Sequence, residues 1–304
     1  MSSAAPAVKP TRIQVPPRPG RRRRRQGSVA GRQGPWRRIQ PVVAILAVLV
    51  TIALPLYVVV ITAGKSQGEA LNPDLTLPTT WQYGENFAQV WSQGRVPGAL
   101  WGSLVIMVPA VMGVLALGSL ASWILARRSS RLFAALYALA ISGIVLPPAV
   151  VTIVLLLRQM GLAGTAIGMI GVYMGMYMST VIFFVTGFVR TIPVELEEAA
   201  RVDGAGPLRV FVRIILPLLV PVLSTATILI CLYVWNDVFY AFFVVGGRLD
   251  TLPLNLFTVA SAGLYLDNWH LIFAYVVLMS LPLLVVFVVA QRKIISGITS
   301  GAVK

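Results

Sequence analysis

Residue types that carry catalysis are sparse in this chain and are not arranged for it. There is one histidine, His270, one cysteine, Cys231, and a single carboxylate, Asp237, inside the long apolar runs. No His/Glu/Cys cluster has metal-ligand spacing, no Ser-His pair stands with a suitable acid, and no Gly-rich GKS/T loop is present to cradle a phosphate. A lone cysteine also excludes an intrachain disulfide. What the chain does carry is a spaced pattern: Glu198-Ala199-Ala200, three residues, Gly204, nine residues, Ile214, one residue, Leu216-Pro217. Glycines that close helices and prolines that open them predict two short helices around a small-residue corner at Asp203-Gly204-Ala205-Gly206-Pro207. Glu195, Glu197 and Glu198 fill the N-terminal half of the first helix, where the helix dipole favours negative charge, and Glu197 is spaced to pair with Arg201. The chemistry on offer is docking. Small residues admit a close partner, and acidic ones meet its basic groups.

The elements that position this pattern are set by composition. The 304 residues are 57% hydrophobic and 12% charged, against about 25% charged in soluble domains. Six stretches, uncharged except for Asp237, at roughly 41–63, 100–126, 133–157, 165–189, 217–243 and 269–291, are each long enough to cross a hydrocarbon core of about 30 Å. Lipid offers no partner to backbone amides, so these runs are expected to be helices, and the fold class is an all-α polytopic membrane protein with six spans. The run at 41–63 is expected to stay as the first span rather than be cleaved.

Of 25 basic residues, 21 fall on the side that holds both termini and the patterned loop, and four, Lys65, Arg95, Arg158 and Arg248, fall on the other. The positive-inside rule then places both termini and the loop in the cytoplasm. Residues 1–40 hold six prolines and many arginines, a composition that cannot bury enough surface to order itself. Their charge reads as topology and lipid attraction, not nucleic-acid binding. The expected organisation is a tail at 1–40, a membrane domain at 41–291 with the loop at 191–216, and a cytoplasmic tail at 292–304.

Within the spans, Pro147-Pro148 predicts a kink in the third, either beside a transport pathway or for packing alone. Gly164, Gly168, Gly171 and Gly175 give the fourth a smooth face suited to helix packing. Twenty residues separate Asp237 from Pro217, about 30 Å along a helix, so Asp237 is expected near the outer end. Asn236 and Asp237 either line a pathway mouth or gate, or form a helix-ending pair bonded to backbone.

The patterned loop resembles that of the membrane-spanning permease subunits of bacterial ABC importers, with Glu198, Ala199, Ala200, Gly204, Ile214, Leu216 and Pro217 filling every fixed position. The chain is most similar to the second permease subunit of maltose-type carbohydrate importers. That likeness rests on Leu196 to Ala205, on Trp235-Asn236-Asp237 and on the ending from Gln291 to Lys304. Val238 replaces an aromatic usual in that subfamily, and Gly102-Ser103 stands where Asn-Ser or Asn-Thr is more common. The resemblance implies an ATPase dimer that docks on the loop, with Asp203 and Gly206 beside the fixed positions, and tail contacts from Gly297, Thr299, Gly301 and Lys304. It also implies a second permease chain, an extracytoplasmic substrate-binding protein and a sugar-like solute, with no cofactor and no catalytic residue in this chain. Tyr233, with Trp235, Phe239, Tyr240 and Trp269, would stack on sugar rings or anchor the interface. Pro147 and Pro148 join Asn236, Asp237 and Tyr233 as the pathway candidates. A non-sugar solute such as glycerol phosphate, a self-contained carrier and a membrane-embedded enzyme are the other readings. The scarcity of intramembrane charge argues against an ion-coupled carrier.

Overall fold

A computed structural model of the chain describes residues 36–261 and 268–302, with side chains for 39–261 and 268–288. The described residues fall into two compact units, divided between Val50 and Thr51. The first contributes helix α1, Trp36–Val48, which takes in the end of the expected 1–40 tail; residues 1–35 lie outside the described part. The second begins with α2 (Leu54–Ala63), α3 (Gln67–Ala70), α4 (Tyr83–Gln93) and the long α5 (Val96–Arg127). Then come α6 (Arg131–Ser142), α7 (Val150–Gln159) and α8 (Ala166–Val189). Helices α9 (Glu195–Val202) and α10 (Pro207–Val210) lead through a π-helical turn at Phe211–Ile215 into α11 (Leu216–Leu218) and α12 (Val220–Trp235). Helices α13 (Phe239–Val245), α14 (Leu252–Ser261) and α15 (Trp269–Ala302) complete the order. No strand occurs among the described residues.

Among the described residues, four helical runs are long and apolar enough to cross a membrane: Ile39–Ala63, Val96–Arg127, Ala166–Val189 and Trp269–Val288. A fifth span counts Pro207–Leu218 and Val220–Trp235 together, although they bend by 74° where they meet. Pro217 and Pro221 remove amide donors on either side of that bend, which frees the helix to break at Leu219. The expected third span differs from a kinked rod. It is two helices, α6 and α7, of 12 and 10 residues, separated by a segment holding Pro147-Pro148. Neither proline can donate a helical bond, and each disfavours the α conformation in the residue before it.

Helices α5 and α8 run parallel in register. Gly118 faces Val181, the Ser122 hydroxyl donates to the Ile182 carbonyl at 3.4 Å, and Arg127 reaches the Ile192 carbonyl at 2.9 Å. Partners advance together along both chains, so the ends of α5 and α8 arrive at one place. The core between them includes Ile106, Val114, Tyr173, Val185 and Val189.

Gly102 also has its reason here. A Cβ at that position would lie 2.0 Å from the Asp250 carbonyl oxygen, so only glycine admits the loop before α14. The adjacent Ser103 hydroxyl accepts from the Leu252 amide at 2.9 Å. The departure from Asn-Ser therefore removes a side chain and keeps a hydrogen bond.

The loop after α2 is tied by charge. The Lys65 ammonium, buried, pairs with Asp74, and the Asn86 amide donates to the carbonyls of Ala63 and Lys65, both at 2.9 Å. Hydrogen bonds from the Thr79 hydroxyl and amide, aided by Ser66, pull the Glu69 carboxyl from 4.5 down to about 2. Lys65 first and Thr76 next draw Asp74 from 3.8 to about 2. Because the unfolded loop binds protons at a higher pH than the folded one, these groups stabilise the loop above pH 4.5. That support is lost as pH falls through about 2. The amide resonance of Thr79 in detergent micelles is expected to titrate with a midpoint near 2; a midpoint at the ordinary 4.5 would contradict these contacts.

Candidate functional site

Helix α9 is fixed by one side chain. Glu197 has no solvent exposure, while Glu195, Glu198, Ala199 and Arg201 around it are exposed. Its carboxylate accepts from the Arg127 Nε at 2.7 Å and from the Trp123 indole at 3.1 Å, both from the last turns of α5. Arg127 also donates through Nη2 to the Ile192 carbonyl at 2.9 Å, closing the turn that enters α9. The Trp123 ring lies 5.5 Å from that of Phe211, in the π-helical turn that follows α10. Four segments of the chain thus meet at one carboxylate. The Arg201 pairing expected from the i,i+4 spacing is present at 3.5 Å, but Arg201 is half exposed, and such a pair contributes only a few tenths of a kcal/mol. The buried partners matter more, because an unpaired charge in a poorly hydrated site is costly. Trp123 and Arg127 are functional residues that the sequence alone did not single out. Their one signal was their spacing of four residues at the basic end of an apolar run.

The corner after α9 is a Schellman turn. The Ala205 amide donates to the Ala200 carbonyl at 2.9 Å and the Gly204 amide to the Arg201 carbonyl at 3.0 Å. Gly204 adopts φ +79°, and nothing lies within 4 Å of where its Cβ would be. Backbone conformation alone demands glycine there. Gly206 precedes Pro207, the first residue of α10.

Glu198, Ala199, Asp203, Gly204 and Gly206 face outward, whereas Ala200 is turned into the core. Beside them, Val202 and Leu208 are 86% and 72% exposed. A shallow hollow of about 550 Å3 runs from Gly204 to Arg213 along α10. Ile214 and Leu216 do not share this face. They pack at the edge of the core, and Pro217 sits at the bend between α11 and α12. The tail positions Gly297, Thr299 and Gly301 fall on the end of α15, where side chains are not described, and Lys304 is outside the described residues.

Asp237 lies at the far end of α12. Its carboxylate accepts from the Tyr173 hydroxyl at 2.8 Å and from the amides of Tyr240 and Ala241 at 3.2 and 3.0 Å, capping α13. The Asn236 side chain donates to the Leu232 carbonyl at 2.8 Å. The pair therefore ends one helix and starts the next. From Asp237 a stack of rings continues: Tyr173 lies 6.1 Å from Tyr177, which lies 5.7 Å from the half-exposed Tyr233. Tyr177, Tyr233, Thr180, Pro147 and Pro148 line one cavity of about 380 Å3. The structure so brings together the two prolines and Tyr233, with Asp237 joined to them through tyrosines. Trp235 is not part of this wall; it is buried and donates to the Met279 carbonyl at 3.1 Å. His270 is buried at the start of α15. Gly168, Gly171 and Gly175 line an apolar cavity of about 450 Å3 with α7 residues, and a Cβ at Gly168 would come within 2.3 Å of the Leu162 carbonyl oxygen.

The second unit is thus a helical bundle that bends at Leu219 and presents α9 and α10 at one end. Over residues 116–300 the chain matches the binding-protein-dependent transport system inner membrane component family, and it belongs to that family. It is 34% identical over 272 residues to the melibiose/raffinose/stachyose import permease protein MelC of Bacillus subtilis, covering 86% of this chain and 96% of that protein. It is 29% identical to the diacetylchitobiose uptake system permease protein NgcG of Streptomyces coelicolor, covering 83% and 84%. The fold is shared with a crystal structure of a bacterial ABC transporter that imports the acidic polysaccharide alginate. The TM-score is 0.72 at 20% identity, over 84% of this chain and 96% of that one.

If Glu197 holds α9 in place, Glu197→Ala, which strands Arg127, is expected to lower stability by about 3 kcal/mol, whereas Arg201→Ala changes it by less than about 0.5 kcal/mol. Unfolding midpoints of the purified chain in detergent report the difference. Equal effects of the two substitutions would contradict the assigned roles.

Proposed function

We propose that this chain is one of two membrane-spanning subunits of an ATP-driven sugar importer, with α9 and α10 as the elements a separate ATPase pushes on. The observation that carries this reading is the division of labour on α9: Glu197 is locked to α5, while Glu198, Ala199, Asp203, Gly204 and Gly206 are left outward on a face of small and acidic residues. A buried anchor under an exposed face is what a docking lever requires. The distribution of basic residues, 21 of 25 on the loop's side, supports a cytoplasmic location for the loop and both termini.

Transport then follows by alternating access. ATP-driven closure of the paired ATPase subunits moves α9 and α10. The Glu197 linkage carries that motion to α5 and α8, and the bend at Leu219, held by Ile214, Leu216 and Pro217, lets α12 tilt. The broken segment at Pro147-Pro148 and the rings of Tyr177 and Tyr233 border the route of the solute, with Asp237 and Asn236 fixing the end of α12 beside it. Aromatic faces suit the apolar faces of pyranose rings, and the sugars named for the relatives support that solute class. A second, similar permease chain completes the pathway, a solute-binding protein delivers the sugar on the opposite face, and Gly297, Thr299, Gly301 and Lys304 extend toward the ATPase.

The test is reconstitution with the ATPase and the second permease chain in proteoliposomes. Gly204→Val forces a β-branched residue into the left-handed region, at about 1–2 kcal/mol, and is expected to cut ATP-driven uptake roughly tenfold while ATP hydrolysis continues. Uptake that proceeds without ATP, or normal coupling in Gly204→Val, would overturn the reading.

A further inference from the structure

At the end of the bundle away from α9, two arginines share a hollow for which the mechanism above has no use. Arg158 closes α7 and Arg248 follows α13, and both line a cavity of about 430 Å3 whose walls are mostly polar. The two loops that form it are stitched together, the Gly164 amide donating to the Val244 carbonyl at 2.9 Å. The Arg248 side chain lies directly over Gly164, where a Cβ would come within 2.6 Å of its Cδ. Helix α8 has 24 residues between this hollow and the α9 end, a separation of about 36 Å, which is enough to place the two on opposite faces of a membrane.

Neither guanidinium has an ion pair or a side-chain hydrogen bond among the described residues. Lys65, also on this side, is paired with Asp74, and Arg127 at the other end with Glu197. The C-terminal carbonyls of α7 and α13 supply only partial negative charge. The hollow therefore keeps a positive charge that the fold does not neutralise. Each guanidinium presents a planar fork of donors that matches a carboxylate in a bidentate pair.

We propose that Arg158 and Arg248 form an anion site that receives an aspartate or glutamate side chain of the solute-binding protein when it docks. This rests on the importer reading, which puts the hollow on the outer face. A carboxylate of a soluble protein is the occupant because the hollow is walled by the last turns of α7 and α13 together with the loop residues Gly161, Gly164 and Gly246 at this end of the bundle, where a soluble protein can reach. The site guides docking and sets its strength, and takes no part in ATP hydrolysis.

The test uses the whole importer, both permease chains with the ATPase, in nanodiscs of phosphatidylcholine alone or mixed with phosphatidylglycerol. The readout is the concentration of solute-loaded binding protein that half-maximally stimulates ATP hydrolysis. With Arg158→Gln and Arg248→Gln combined, that concentration is expected to rise about tenfold in both lipids, with unstimulated hydrolysis unchanged. In the unaltered complex it should also rise with ionic strength, and less so in the double variant; this second reading stands even if the substitutions disturb the 161–164 loop. An unchanged half-maximal concentration, or no salt dependence in the unaltered complex, overturns the proposal. A shift seen only with phosphatidylglycerol assigns the site to lipid and overturns it as well. If the unaltered complex is not stimulated by any binding protein, the importer reading itself fails, and the site falls with it.

Discussion

A carboxylate with no access to water has to be neutralised where it stands, and Glu197 meets that demand through Arg127 and Trp123. Most of the second unit's geometry follows from this. Arg127 reaches Glu197 only because α5 ends level with α8, which requires the parallel packing in which Gly118 meets Val181. Trp123 rests on Phe211 only because the Schellman turn at Gly204 folds α10 back under α9. The linkage ties α9 to α5 through a buried ion pair and an indole hydrogen bond.

The opposite end of the bundle is built on a second carboxylate with a different solution. Asp237 is neutralised mainly by hydrogen bonds, two from backbone amides and one from Tyr173. It joins α12 to α13 while leaving the corner only partly buried. The tyrosine stack carries this corner toward the Pro147-Pro148 segment, so a tilt of α12 changes the cavity that those residues line. One carboxylate fixes α9 against α5, and the other fixes the end of α12 against α13.

The sequence disclosed what depends on local chemistry. Long uncharged runs have few options in lipid, and Gly204 with Pro207 announces a helix end and a helix start; both are found. The Arg201 partner of Glu197 was readable because it is four residues away, but Arg127 is 70 positions distant and Trp123 74, and no local rule reaches that far. The role of Gly102 was hidden for the same reason: its neighbour is the Asp250 carbonyl, and Ser103 bonds to a residue 149 positions on. Prolines marked where spans yield without saying how much. Pro147-Pro148 divides a helix in two, and the prolines flanking Leu219 bend one by 74°, because tertiary packing decides whether freed carbonyls are tolerated as a kink or as a break.

The rigid attachment of α9 to α5 is tested most directly by a distance. Spin labels on cysteines placed at Ser129, just beyond α5, and at Glu195, on the exposed start of α9, in a Cys231→Ser background, report their separation by pulsed electron resonance in the assembled transporter. The separation should stay the same between the nucleotide-free and ATP-bound states. A shift of about 5.4 Å, one helical turn, on ATP binding would show α9 moving independently of α5 and would contradict the account.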